Sequence, residues 1–373
     1  MINWKSSNSD EKSRLLKAFD KGEIKNILLF RCQKLGDMLT FLPTILCVRK
    51  MFPSARITLA CRKDGLAVAE RVPAINIMLI DDLGKDKRHC PRYDLMITSS
   101  QDAGWIRLKK KLNIKYALGV LPESLKGVCL KHRLQYRYFS AVERYTDSEH
   151  DVDRNLKALK PLGKFDCGRQ KRTLWIAPSE KETISEFLPD AGARLVVVSP
   201  SGSKQSKNWR PNFFAGLCDR LLGEPGMKII FTGRGTLARE QSDRILEGMK
   251  GPALSLIDRT SFGELCALIE RADLVISVDS GTAHIASYLD RPLVVIFGPG
   301  DLEQWKPWHM DQSLAAVVQA PCECGTTNYR CKAKKHCLDS ITPDEVFKAV
   351  CGLLNINRKE TPQKGQTGLE GSS

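Results

Sequence analysis

One pattern constrains this chain more than any other: short apolar runs alternate with longer helical stretches, and the alternation occurs twice. The first series has apolar runs at 27–30, 57–61, 75–80 and 95–98, with a helical stretch at 38–51. The second has runs at 195–198, 228–232, 272–278 and 293–297, with helical stretches at 213–222 and 237–249. Strands alternating with helices read as βαβ units on parallel sheets. Between the series, residues 163–172 turn polar and charged. The chain therefore reads as α/β, with a linker near 163–190 joining two α/β domains, 1–165 and 190–340. Open parallel sheets bind ligands beyond the carboxyl ends of their strands, so a central cleft between the facing sheets is the expected site.

Composition excludes several classes. Lysine and arginine number 58 against 43 acidic residues, a net charge of +15, which suits anionic partners without choosing among them. No apolar run approaches the ~18 residues of a membrane helix. The N-terminus lacks the apolar core of a secretory signal, so a cytoplasmic location is expected. Of the 13 cysteines, those such as Cys47, Cys218 and Cys266 sit inside apolar segments and read as reduced core residues. Cys322, Cys324, Cys331 and Cys337 cluster beside His336, but C-x-C-x6-C-x5-C departs from paired zinc spacings. Reduced thiols, a structural metal and a single disulfide stay open there, and no cofactor is expected. Neither zinc-finger spacing nor an aromatic–basic surface motif is present, which argues against nucleic acid as partner.

Three strand ends carry candidate chemistry. Leu274–Val278 runs into Asp279-Ser280-Gly281-Thr282-Ala283-His284 and then a helix. The free amides of such a helix start attract phosphate, and small side chains let it approach; a plain strand-to-helix turn is the alternative. After residues 196–199 comes a Ser/Gly/Lys loop. Ser201 and Ser203 can donate hydrogen bonds there, and Lys204 and Lys207 can neutralise a diphosphate, although the spacing is not that of a P-loop. Asp37, just after the first strand, reads as a helix-capping carboxylate or as a general base facing the cleft. Asp151-Val-Asp153 has the look of an acidic metal pair but reads better as a solvated first turn. Residues 101–140 are rich in Lys and Arg, either a solvated helix face or a docking surface for an anionic acceptor or headgroups. Capping boxes at Ser261–Glu264 and Thr342–Glu345 mark two further helix starts.

Taken together, these segments resemble the ADP-heptose:lipopolysaccharide heptosyltransferases of glycosyltransferase family 9. The resemblance rests on Leu35-Gly36-Asp37, His150–Arg154, Ser201–Trp209, Asp279–His284, Arg291-Pro292, Phe297-Gly298-Pro299 and Trp305-Lys306-Pro307. It implies the bacterial GT-B architecture, two Rossmann-like domains with the donor held mainly by the second. It also implies a C-terminal helix, 341–355, packing back on the first domain; beyond it residues 358–373 are polar and Gly-rich and read as a disordered tail.

By the same resemblance, Asp37 is the catalytic base and Lys207 binds phosphate beside Gly202 and Ser203. Asp279, Ser280, Gly281, Thr282, Ala283 and His284 form the donor turn. Glu240 falls on the ribose hydroxyls and Thr260 on the adenine pocket. Arg62, Lys63 and Gln101 fall on the acceptor side. The stretch Thr98–Gly104 departs from the family pattern, which leaves room for a different acceptor.

The implied activity is inverting, metal-independent transfer of heptose from ADP-L-glycero-D-manno-heptose to an anionic glycolipid acceptor in the lipopolysaccharide inner core. Peripheral contact with the inner membrane would accompany it. The alternatives are a related transferase for a capsule, a protein or another nucleotide sugar, and a non-catalytic nucleotide- or sugar-binding protein. The presence of Asp37 speaks against the last, because a pure binder needs no base.

Overall fold

The computed structural model describes residues 9–32, 34–80, 92–100, 102–123, 137–163, 174–188, 192–308, 311–320 and 337–356. The first sheet contains β1 (Asn26–Phe30), β2 (Arg56–Cys61), β3 (Asn76–Leu79), β4 (Leu95–Thr98), β5 (Tyr116–Pro122) and β6 (Ala141–Tyr145). All are parallel, in the order β3-β2-β1-β4-β5-β6. The second contains β7 (Arg194–Ser199), β8 (Met227–Phe231), β9 (Leu254–Ser255), β10 (Leu274–Val278), β11 (Leu293–Phe297) and β12 (Ala315–Gln319). It too is parallel, in the order β12-β11-β10-β7-β8-β9.

Numbered from its own first strand, each sheet reads 3-2-1-4-5-6 outward from one edge, the doubly wound order. Its winding direction reverses between the first and fourth strands, which are β1 and β4 in one sheet and β7 and β10 in the other. A crevice opens at such a reversal because the two connections leave for opposite faces. The central strands are buried on both faces: β10 and β11 are covered throughout. That burial explains their near-continuous Val/Ile/Leu runs.

Two helices join the halves. The Leu35–Met51 helix buries ten side chains, from Met38 to Val48, because it is covered on more than one side. The Gly281–Tyr288 helix of the second half lies against its first turn. A Cβ on Gly281 would meet Leu35 Cδ2 at 2.7 Å, and one on Gly36 would meet His284 Cδ2 at 3.2 Å. Glycine at both positions lets the two helix starts approach this closely. A second connection runs through the linker. Arg71, just after the Lys63–Ala69 helix, donates two hydrogen bonds to Glu180 at 2.6 and 2.7 Å, and its carbonyl accepts the Trp175 amide.

Among the described residues, the C-terminal helix, Pro343–Leu354, packs on the second domain rather than back on the first. Its apolar stripe of Val346, Phe347, Val350 and Cys351 belongs to the core of the second sheet. Trp209 Nε1 donates to the Ile341 carbonyl at 3.0 Å, and Arg220 lies over the Phe347 ring. Burial of that stripe against β11 and β12 outweighs any longer reach. Both expected capping boxes are formed, at Ser261/Glu264 and Thr342/Glu345.

Cys218 and Cys266 are fully buried thiols, and burial pushes Cys266 up to about 12. Cys47 is equally buried but disulfide-bonded, which corrects the expectation of a reduced thiol there. The tail at 358–373 lies outside the described residues, as do Cys322, Cys324 and Cys331 of the cysteine cluster. Among the described residues no group of His, Cys, Asp and Glu could hold a metal ion, and no helix is long and apolar enough to cross a membrane.

Candidate active site

The carboxyl ends of both sheets open on one cavity of about 760 Å³ between the two halves. The first half contributes Lys34–Asp37 and the start of the Lys63–Ala69 helix. The second contributes the loops after β7, β8 and β10 together with Thr260–Phe262 and Trp305. Thus the residues after β1, β7 and β10, far apart in sequence, meet at the two crevices where the winding reverses.

Asp37 stands at the third residue of its helix. Its carboxylate accepts the Lys34 backbone amide, so it partly satisfies the helix start, and its side chain remains 22% exposed toward the cavity. Capping and facing the cleft are therefore not exclusive. Burial, the largest influence, raises its pKa above the ordinary carboxylate value, and Asp151 adds to the rise. Arg31 and Lys34 oppose it. A carboxylate with raised proton affinity that faces a cleft is suited to accept a proton near neutrality.

On the opposite wall Ser280, the residue that starts the Gly281–Tyr288 helix, makes no side-chain hydrogen bond to the helix amides. Ser280 bonds Ser277 at 2.9 Å, and Thr282 accepts a hydrogen bond from Ser199 at 3.1 Å, so these hydroxyls brace the turn. Lys207 Nζ contacts Asp279 Oδ2 at 2.7 Å, with Asp279 only 5% exposed. The buried carboxylate holds the ammonium at the cavity edge beside Gly202 and Ser203. The amide of Gly202 is pinned by Asn208 Oδ1 at 2.9 Å. Amides, helix dipole and ammonium together make an anion cradle.

His284 lines the same cavity, with its ring edge-on to Trp305 at 6.1 Å between centroids. Enclosure between the two halves pushes its pKa down to about 4, which makes it a neutral imidazole at pH 7. His150 crosses the seam. Its Nδ1 accepts the Val152 amide at 3.2 Å, so the proton sits on Nε2, which donates to the Lys306 carbonyl at 2.9 Å. Two motifs separated by 156 residues are joined by that bond.

Most of the expected donor residues converge here: Gly202, Ser203, Lys207, Thr260, Asp279, Ser280, Gly281, Thr282 and His284 all line the cavity. Ala283 is buried in the core behind them. Glu240 is not brought to the cavity. The Thr236–Gly248 helix buries Ala238, Gln241, Ser242 and Ile245, which turns Glu240 to solvent. Lys63 lines the first half's rim, whereas Arg62 does not and instead pairs with Asp102 at 3.2 Å. Gln101 lies outside the described residues.

Other contributors were given no site role from the sequence: Arg31 and Asp151 beneath Asp37, and Arg234 and Trp305 on the cavity wall. Asp151 is 6% exposed, not part of a solvated turn, while Asp153 faces solvent as expected. The available signal was a charged residue placed directly at the end of an apolar strand, Phe30-Arg31.

Two doubly wound domains facing across a cleft, with a carboxylate on one wall and an anion cradle on the other, define the GT-B class of nucleotide-sugar transferases. The family model for glycosyltransferase family 9 (heptosyltransferase) matches residues 123–336, more than half of the chain. The protein belongs to glycosyltransferase family 9. Lipopolysaccharide heptosyltransferase 3 of Escherichia coli K12 is 28% identical over 334 residues, 86% of this chain and 95% of the relative. Lipooligosaccharide heptosyltransferase 2 of Campylobacter jejuni is 22% identical over 325 residues, 86% of this chain and 95% of the relative.

Among solved structures, a family 9 glycosyl transferase from Veillonella parvula superposes with a TM-score of 0.75 at 21% identity, covering 89% of this chain and 97% of that one. The Escherichia coli ADP-heptose lipopolysaccharide heptosyltransferase II gives 0.66 at 18% identity, covering 89% and 99%. These likenesses confirm the fold.

Proposed function

We propose that this glycosyltransferase moves a heptose from ADP-L-glycero-D-manno-heptose to an anionic glycolipid acceptor in the inner core of lipopolysaccharide, with inversion at the transferred carbon. The observation that carries the reading is the single cavity lined by Asp37 on one wall and by Lys207 and the 281–284 helix start on the other. The sequence relatives, heptosyltransferases by name, supply the sugar class.

In the proposed reaction Asp37 takes the proton of the acceptor hydroxyl as its oxygen attacks the sugar's anomeric carbon. The new carbon–oxygen bond forms on the face opposite the breaking bond to phosphate, and ADP departs with the bonding electrons. A positioned base contributes typically ~10²–10⁴-fold. The leaving diphosphate gains charge against the amides of the 281–288 helix and Lys207. Such preorganised donors are worth about 3–4 kcal/mol each where measured. Asp279 is already engaged by Lys207, and these protein groups serve where a metal would otherwise neutralise the diphosphate; we therefore propose a metal-independent reaction, in which a chelator leaves the rate unchanged. Thr260 and Arg234 line the same cavity, and in this reading they serve the nucleoside.

Incubating purified protein with ADP-heptose, other ADP-sugars or UDP-sugars and extracted acceptor glycans, then following incorporation by mass spectrometry, tests the reading. Transfer from UDP-sugars only, or release of sugar to water alone, would overturn it. A family 9 transferase with a different acceptor is the second reading, favoured by Arg62 being tied to Asp102 on the acceptor side. The same incubation with capsule and protein acceptors decides between them.

We also propose that the enzyme works at the cytoplasmic face of the inner membrane. The Gly104–Lys111 helix exposes Arg107, Lys110 and Lys111, with Lys115 beyond it. Salt-sensitive sedimentation with anionic but not zwitterionic vesicles is the expected result.

A further inference from the structure

Beneath Asp37 lies an ionic cluster that the proposed chemistry does not itself require. Arg31, 2% exposed, leaves the end of β1 and turns under the first turn of the Leu35–Met51 helix. Its Nη2 donates to Asp151 Oδ2 at 2.9 Å and faces Asp37 Oδ1 at 3.4 Å. Its Nε donates to the Asp37 carbonyl at 3.3 Å and its Nη1 to Ser99 Oγ at 2.8 Å. The guanidinium also lies 5.7 Å from the Phe41 ring centre.

Asp151 is fixed in turn. The same Oδ2 accepts from Thr40 Oγ1 at 2.6 Å and from Asn155 Nδ2 at 3.1 Å. The cluster thus joins the ends of β1 and β4, the base-bearing helix and the Asp151–Lys157 helix. A guanidinium offers a planar fork of donors, so one residue can grip all of these at once.

We propose that Arg31 and Asp151 are positioning residues for Asp37, the pair fixing the direction of its carboxylate and setting how readily it takes a proton. The inference rests on Asp37 being the base of the proposed transfer. One cation is shared between two carboxylates in a buried site. Arg31 favours the ionised form of Asp37, and Asp151 disfavours it while holding Arg31 in place.

The remaining charged groups around Asp37 come from every neighbouring element. Lys34 lies on its own turn, and Lys63 and Asp64 lie on the rim helix. Lys207, Asp279 and His284 stand across the cavity. Lys207 and Asp279 form a pair of zero net charge across the cavity, and His284 is neutral at pH 7, whereas Arg31 touches Asp37 directly and Asp151 stands just behind it.

The two residues act with opposite sign, and that provides the test. The acid limb of the kcat/KM profile reports the base of the free enzyme. Asp151→Asn removes a negative charge and keeps the shape, so the limb should move to lower pH by about one unit. Arg31→Met removes the positive charge, so the limb should move to higher pH by about one unit, and Arg31→Lys should fall between it and the wild type. Residues that served stability alone would lower activity at every pH and leave the limb in place. An unmoved limb in Asp151→Asn, or shifts of the same sign in Asp151→Asn and Arg31→Met, overturns the proposal.

Removing one partner of a buried ion pair can prevent folding. If Arg31→Met fails to fold, the direction seen in Asp151→Asn decides alone. Carbon NMR of carboxyl-labelled aspartate, with Asp37 assigned by loss of its signal in Asp37→Asn, reads the same titration without substrate. Opposite shifts in NMR with no transfer from any sugar would sink the transferase reading and leave the positioning role standing.

Discussion

The two walls of the cleft are built on opposite principles. On the first wall the proposed base is a side chain held by other side chains: Asp37 leans on Arg31, which leans on Asp151, itself held by Thr40 and Asn155. On the second wall the backbone does most of the work. Small residues keep the helix start at 281 open, and hydroxyls brace it without capping it. The difference follows from the tasks. A base needs one proton affinity and one direction, which a buried charged network can set. A diphosphate cradle needs many modest donors in fixed positions, which a helix terminus supplies without further side chains. Chemistry on the first wall should therefore be lost without loss of binding, and on the second wall the two should decline together.

Substitution of the base should have the largest effect. Asp37→Ala is expected to lower transfer by about 10²–10⁴-fold while ADP binding, followed by calorimetry, persists. Loss of ADP binding in a folded variant would place residue 37 on the donor side and erase the contrast.

Lys207→Ala is next, with a loss of about 100-fold in kcat/KM for the donor and weakened ADP binding. Part of that loss would come from leaving Asp279 buried and unpaired. The double variant Lys207→Ala/Asp279→Asn separates the two contributions: its stability should recover relative to the single variant, while its donor affinity should not.

A smaller effect concerns the seam between the walls. The pKa of His284 in the folded protein lies near 4, below its ordinary 6.5. Between those values the unfolded chain binds more protons, so folding stability falls as pH is lowered from 6.5 through 4. The slope is at most ~1.4 kcal/mol per pH unit for one group. His284→Gln should flatten that part of a denaturation series. An unchanged slope would mean that the imidazole is solvated and the cleft more open.

The smallest expected effect is that of Glu240→Ala. Its exposed position predicts ADP affinity within a factor of about two of wild type, as for surface substitutions generally. A tenfold loss would show that the 236–248 helix turns toward the nucleotide when the domains close.

Legibility in the sequence followed burial for most strands, although the half-covered β3 was read and the buried β5 was not. Strands β1, β2, β4, β7, β10 and β11 are covered on both faces and stand out as apolar runs. Strands β5 and β6 were hidden within or beside a basic segment, and β9 has only two residues. The edge strand β12 is half-covered and carries a mixed pattern. The donor turn was readable because strand, small residues and helix follow one another directly. The cluster under Asp37 was not, because Arg31 and Asp151 are 120 residues apart and their meeting depends on where two helices settle.

Local order along the chain settled the two βαβ series and the capping boxes, and marked Asp37 and the 201–207 loop as candidates, since each depends on neighbours within a few residues. Tertiary packing alone decided that residues after β1, β7 and β10 share one cavity and that the last helix covers its own sheet. It also decided that Asp151 is a buried counter-charge and that Glu240 faces solvent. Those outcomes depend on which apolar faces find each other across long separations, and once the faces are matched the charged residues among them must be paired.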